Sequence, residues 1–109
     1  MIPMEENEQL ASLINKDLGD INGSLIISSE IADRSIIREQ LAFVIAKLLE
    51  ANFERLCQAM YRLDVSEKKF HEVLHDKPAE EIPYSLADLV IERELQKVKT
   101  RMMYRRKEL

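Results

Sequence analysis

Apolar residues recur every three or four positions through most of the chain, which is the period of an amphipathic α-helix. The pattern predicts an all-α bundle of about four helices: two long (about 35–63 and 85–107), one medium (about 4–18) and one short (about 66–75). A connection over 20–30 separates the first two helices. The stripe of the first helix consists of Leu10, Leu13, Ile14 and Leu18.

Residues with preferences for helix ends set the expected boundaries. Gly19 suits the position after the first helix, because glycine reaches positive φ without a steric penalty. Asp64 or Ser66 can cap the third helix and Pro78 ends it, while Ser85 is expected to cap the fourth. The second helix contains neither Gly nor Pro. Its length of roughly 42 Å exceeds the width of a compact domain of this size, so its apolar face needs partners along its whole length.

The composition indicates one globular domain spanning residues 1–109. Hydrophobic residues make up 46% and charged residues 33% of the chain, and two glycines are too few for a sandwich or barrel of many short strands. The single cysteine, Cys57, cannot form an internal disulfide, which favours a reducing compartment. We expect no membrane contact and a cytoplasmic location, since neither a signal peptide nor a long apolar run is present.

The charge is unevenly distributed along the chain. Residues 1–35 carry a net charge of −5, residues 36–92 carry −4, and residues 93–109 carry +5. A basic segment can contact nucleic acid or anionic lipid, but cations at the end of a helix also complement its dipole. The second interpretation is favoured for the C-terminal helix, so the charge alone assigns no partner.

The sequence HEVLH, which begins at His71, matches the H-E-x-x-H pattern of zinc hydrolases. His71 and His75 share one helical face in this pattern, and Glu72 activates the metal-bound water. A catalytic zinc needs a third protein ligand, however, and the chain has no third His. Glu92 and Glu94 fall in the pattern of a solvated outer face. A zinc hydrolase is therefore the third and least favoured function, and no metal or cofactor is expected; His71 and His75 stay candidates for a surface metal site without catalysis.

Residues 59–74 read AMYRLDVSEKKFHEVL, with Asp64 at a turn position that requires positive φ and Ser66 at a capping position. This segment resembles the helix-turn-helix of bacterial DNA-binding regulators. The resemblance implies that the second helix of the motif enters the major groove. The residues facing DNA would be Glu67, Lys68, Lys69, His71 and Glu72. Nucleic-acid binding is the alternative rather than the favoured function, because that helix is nearly neutral and DNA affinity depends on neutralised phosphates.

The favoured function is a non-enzymatic protein-protein interaction or self-association module, with no catalytic residues. The two long helices carry wide apolar faces that the shorter helices cover only in part, so the remainder should bind a second copy or another protein. A homodimer is the expected form. The candidate contact residues are Phe43, Leu49, Phe53, Met60, Met102 and Met103.

Overall fold

A computed structural model describes the backbone of residues 2–22 and 33–108 and the side-chain surroundings of residues 6–18 and 33–104. This part of the chain is mostly helical, as predicted, and contains no strand. It forms five α-helices rather than four. Residues 23–32, which include most of the predicted connection over 20–30, lie outside the described residues. The helices are α1 (Ile2–Asn22), α2 (Arg34–Ala51), α3 (Phe53–Arg62), α4 (Glu67–Asp76) and α5 (Ile82–Glu108), with a single 3-10 turn at Ala79–Glu81.

The prediction of one helix over 35–63 is wrong, because the chain breaks at Asn52 into α2 and α3. The backbone of Asn52 is non-helical, with φ −158° and ψ 79°. Its N–H still donates to the Leu48 carbonyl at 2.9 Å, while its side-chain oxygen accepts from the Arg55 N–H at 3.1 Å. Asn52 therefore closes α2 and caps α3, a role that asparagine performs well because its side chain replaces a missing backbone partner.

Two further helix boundaries differ from the prediction. The first helix continues through Gly19 to Asn22. The last helix begins at Ile82, directly after the 3-10 turn, and not at Ser85. Pro83 is compatible with this earlier start, since the first turn of a helix needs no N–H from its residues and the proline ring fixes a helical φ. Ser85 consequently lies inside α5 and does not cap it.

The core is organised around α5, which packs against α1, α2 and α4. Its 27 residues span roughly 40 Å, close to the 45 Å length of the whole molecule. α3 joins the core between α1 and α2, and α4 contacts both α3 and α5. The largest fully buried apolar side chains are Leu10, Ile14, Ile37, Leu41, Leu56, Leu63, Leu86, Val90 and Val98. Among the helices of the described residues, none has both the length and the hydropathy needed to cross a membrane.

Candidate protein-interaction surface

The turn between α3 and α4 has the geometry that the helix-turn-helix resemblance predicts. Asp64 adopts φ 61°, the left-handed region, and Ser66 caps α4 by accepting from the Lys69 N–H at 3.3 Å. The Val65 N–H donates to the Met60 carbonyl at 3.1 Å, which satisfies an end of α3. Asp is one of the few non-glycine residues that visits this region readily, so a glycine is not required here. The position of the turn and its cap at Ser66 are thus confirmed.

Arg93 of α5 holds this turn in place through two contacts with Asp64. Its Nη2 lies 2.7 Å from Asp64 Oδ2, and its Nε donates to the Asp64 carbonyl oxygen at 3.1 Å. The hydrogen bond and the charge of Arg93 lower the pKa of Asp64 from its usual value. One guanidinium therefore holds both the backbone and the side chain of Asp64, which gives α3 and α4 a defined relative position.

An apolar surface lies across α3 and α4 beside this turn. Phe53, Cys57 and Tyr61 follow one another at four-residue intervals on α3, and the Phe53 and Phe70 rings stack with centroids 6.3 Å apart. Phe53 is 46% exposed and Tyr61 87% exposed. A cavity of about 250 Å³ opens between the two helices. We call this area the α3–α4 surface and define it by Phe53, Cys57, Met60, Tyr61, Val65, Phe70, His71 and Leu74.

Two of the six predicted contact residues belong to the α3–α4 surface. Phe53 is at its edge and half open to solvent. Met60 lines the cavity, but it is only 4% exposed and belongs to the core. Met60 can therefore affect a contact only through the shape of the cavity wall, whereas Phe53 can touch a partner directly. Tyr61, which sequence reasoning did not select, is the most exposed large apolar residue in the described part of the chain.

The other four predicted contact residues lie elsewhere. Phe43 on α2 is largely exposed, and the Lys47 ammonium sits 4.7 Å from its ring centroid. Leu49 is half-buried against the core. On α5, Met102 is half-buried and Met103 is exposed. The six residues therefore do not form one patch, whereas at the α3–α4 surface a cavity and several apolar side chains occur together.

His71 and His75 both lie on the solvent side of α4, with side chains 65% and 89% exposed. His71 Nε2 is 3.8 Å from Glu67 Oε1, and His75 Nδ1 is 3.1 Å from Asp76 Oδ1. Each imidazole thus has one carboxylate beside it. Within the described residues, no group of three or more His, Cys, Asp and Glu side chains is placed to hold a metal ion.

The carboxylates considered as a third zinc ligand are engaged elsewhere. Glu92 Oε1 lies 3.7 Å from the Lys69 ammonium, and both side chains are on the surface. Glu94 is completely buried rather than part of a solvated outer face, so its predicted position is wrong. Glu72 is exposed beside the histidines, where nothing in the described structure encloses a reacting water. The arrangement offers ligands for a surface ion and no enclosed hydrolytic site within a single chain.

Glu94 belongs to a partly buried polar cluster with Lys97 and Asp17, which the sequence analysis did not predict. The Lys97 ammonium lies 2.8 Å from Glu94 Oε2 and 3.4 Å from Asp17 Oδ2, and it donates to the Leu63 carbonyl at 3.0 Å. The short Glu94–Lys97 distance makes an ion pair, yet neither Glu94 oxygen accepts a well-directed hydrogen bond from a described group. The pKa of Glu94 is raised to about 7, mainly because burial penalises the charged carboxylate; the adjacent Asp17 carboxyl adds to the increase and Lys97 opposes it.

This cluster connects three helices just beneath the α3–α4 turn. Asp17 comes from α1, Glu94 and Lys97 come from α5, and the Leu63 carbonyl is at the end of α3. Two carboxyl groups share one ammonium, which is an arrangement that favours a proton on one of them. Glu94 is closed to solvent while Asp17 and Lys97 are partly exposed, so the cluster joins the three helices around one buried carboxyl group.

No protein-family model matches the chain, and comparison with curated proteins and with solved structures finds no match either.

Proposed function

We propose that the protein is a non-enzymatic self-association module whose two copies pair through the α3–α4 surface. The observation that carries the proposal is the exposure of aromatic side chains around an apolar cavity. Tyr61 and Phe53 remain 87% and 46% exposed beside the cavity of about 250 Å³, whereas Met60 and Phe70, which line the same cavity, are buried. Large apolar groups rimmed by polar residues are typical of protein contacts, and tyrosine is among the residue types that contribute most to binding energy.

The charge of this region favours a second copy as the partner. Residues 53–76 contain five acidic and four basic residues, a net charge of −1, against −4 for the whole chain. Both signs of charge are interspersed along α4, where Lys68 and Lys69 lie between Glu67 and Glu72. A nearly neutral surface with interspersed signs can face itself across a two-fold axis without net repulsion. A strongly charged partner would instead be expected to find a surface of one sign.

DNA binding is the second candidate, and the left-handed Asp64 turn with an exposed α4 supports it. The charge of α4 weighs against it, because Lys68 and Lys69 are accompanied by Glu67, Glu72 and Asp76. Lys69 also lies 3.7 Å from Glu92 of α5. DNA binding predicts an affinity for duplex DNA that falls steeply with salt and is lost in a Lys68→Glu, Lys69→Glu double variant.

A single exposed substitution tests the self-association proposal. Tyr61→Glu places a charge in the proposed contact, and the monomer should fold normally because Tyr61 is 87% exposed. An aromatic residue in such a contact contributes about 2 kcal/mol, so its loss corresponds to an increase of about thirty-fold in the dimer dissociation constant. Sedimentation equilibrium over a wide concentration range measures this constant. Met103→Glu on α5 is the matched control, since Met103 is also apolar and its side chain is 59% exposed.

The wild-type protein and Met103→Glu should dimerise with similar affinity, and Tyr61→Glu should be largely monomeric. Loss of the dimer in Met103→Glu but not in Tyr61→Glu would place the contact on α5 and reject the α3–α4 surface. Helical circular dichroism on all three proteins checks that each is folded.

A further inference from the structure

The two histidines of α4 are arranged as one half of a metal site. His71 and His75 are four residues apart in the continuous helix Glu67–Asp76, so both imidazoles project from one face. The contact of 3.1 Å between His75 Nδ1 and Asp76 Oδ1 fixes one ring nitrogen and leaves Nε2 for a ligand. A carboxylate that holds the far nitrogen of an imidazole is the usual second layer of a zinc site.

One chain cannot complete this site. Tetrahedral zinc sites in proteins use four ligands when their role is structural. The described residues of one chain place no group of three or more candidate side chains together, and the nearby Glu92 is held by Lys69 at 3.7 Å. Two imidazoles from each of two chains would supply four.

The position of His71 connects the pair with the proposed contact. His71 lines the apolar cavity of the α3–α4 surface and also a shallow depression of about 590 Å³ on the outer side of α4. Leu74 and His75 line the same depression. His71 is therefore part of the surface that two copies would share, and His75 lies one helical turn further along α4. Lys68 also lines the depression and opposes a cation, whereas the carboxylates of Glu67 and Asp76 favour one.

We propose that His71 and His75 of two copies together bind one divalent transition-metal ion, of the class of Zn²⁺, and that this ion strengthens the dimer. The inference rests on the proposed self-association through the α3–α4 surface. Imidazole nitrogens select Zn²⁺ and its neighbours over Mg²⁺ and Ca²⁺, which prefer oxygen ligands. The role is structural or regulatory, since four protein ligands leave no open position for a substrate or an activated water.

The test measures dimer affinity and metal content together. Sedimentation equilibrium is run on the full chain in the presence of a chelator and in the presence of zinc chloride, and isothermal titration calorimetry gives the stoichiometry. We expect one ion for every two chains and a decrease of at least about ten-fold in the dimer dissociation constant with zinc. His71→Ala and His75→Ala should each remove the effect of zinc, and magnesium chloride should have none. Met103→Glu on α5, outside the α3–α4 surface, is the control and should respond to zinc as the wild type does.

The two proposals fail in different ways. Binding of one ion per chain with no change in dimer affinity would mean an adventitious ion only and would overturn the inference. A zinc response that survives in both histidine variants, or disappears in Met103→Glu, would overturn the ligand set. A chelator-treated protein that is monomeric but dimerises with zinc through the histidines would support the metal site and contradict the apolar contact. A dimer whose dissociation constant does not change with zinc would support the apolar contact and contradict the metal site.

Discussion

The buried Glu94 makes the stability of the fold depend on pH, and Glu94→Gln should remove that dependence. The glutamate side chain is fully buried, and its environment raises its pKa from 4.5 to about 7 in the folded protein. Burial is the main cause, since it penalises the charged form, and the Asp17 carboxyl adds to it. Glutamine has nearly the same shape as glutamic acid but carries no charge at any pH, so it isolates the cost of ionisation.

The sign of the effect follows from the direction of the pKa shift. A carboxyl group with a raised folded-state pKa binds its proton more tightly when the protein is folded. Its contribution to stability is fully present below pH 4.5, decreases as the pH rises, and is lost above about pH 7. With one pKa unit equivalent to about 1.4 kcal/mol, ionising Glu94 costs about 3 kcal/mol. This is a substantial part of the total stability of a small domain, which is typically about 5–15 kcal/mol.

The assay is urea unfolding followed by circular dichroism, at one fixed protein concentration because a dimer couples stability to concentration. Near pH 5 the wild type and Glu94→Gln should differ little, and at about pH 8.5 the variant should be the more stable by about 3 kcal/mol. Glu92→Gln is the matched control, because Glu92 is on the same helix with its side chain 62% exposed, and it should retain the wild-type pH dependence. A Glu94→Gln protein that is less stable than the wild type at pH 8.5 would refute the reasoning, because ionised Glu94 would then be stabilised by Lys97 more than it is penalised by burial.

Two further predictions concern the helix boundaries. Asn52→Ala should lower the free energy of unfolding by about 1 kcal/mol, since it removes the side-chain acceptor for the Arg55 N–H, while Asn52→Asp should retain the cap and the stability; urea midpoints compare them. Asp64→Gly should be tolerated better than Asp64→Val in the same assay, because both lose the side-chain contact with Arg93 but only glycine adopts φ 61° without a steric penalty. Equal midpoints for the two Asp64 variants would contradict the role assigned to the left-handed turn.

The helical architecture was predictable from the spacing of apolar residues, but the break at Asn52 was missed. The signal was present in the sequence. The stripe of Leu41, Val44 and Leu48 continues at helical spacing onto Asn52 and Arg55, and both of these are polar. An asparagine in such a position can close one helix and cap the next, so the absence of Gly and Pro was not sufficient evidence for a continuous helix.

The local chemistry of the α3–α4 turn was predictable because turn and cap preferences are properties of single residues. Asp64 at positive φ and Ser66 as a cap are confirmed on this ground. Long-range features were not predictable in the same way. Glu94 falls between Val90 and Val98 at four-residue intervals, a position that could have marked it as buried. Its pairing with Lys97 and Asp17 depends on how α1 packs against α5. The exposure of Tyr61 depends on which face of α3 the other helices leave uncovered. The spacing of apolar residues within one helix specifies neither.

The solution mass of the untagged, chelator-treated protein shows whether two copies of this chain associate through the α3–α4 surface. Size-exclusion chromatography with light scattering at a series of concentrations gives that mass without reference to shape. We predict a mass of twice the 12.7 kDa chain, falling to the mass of the chain in Tyr61→Glu. A wild-type protein that has the mass of a single chain at every concentration would contradict this association.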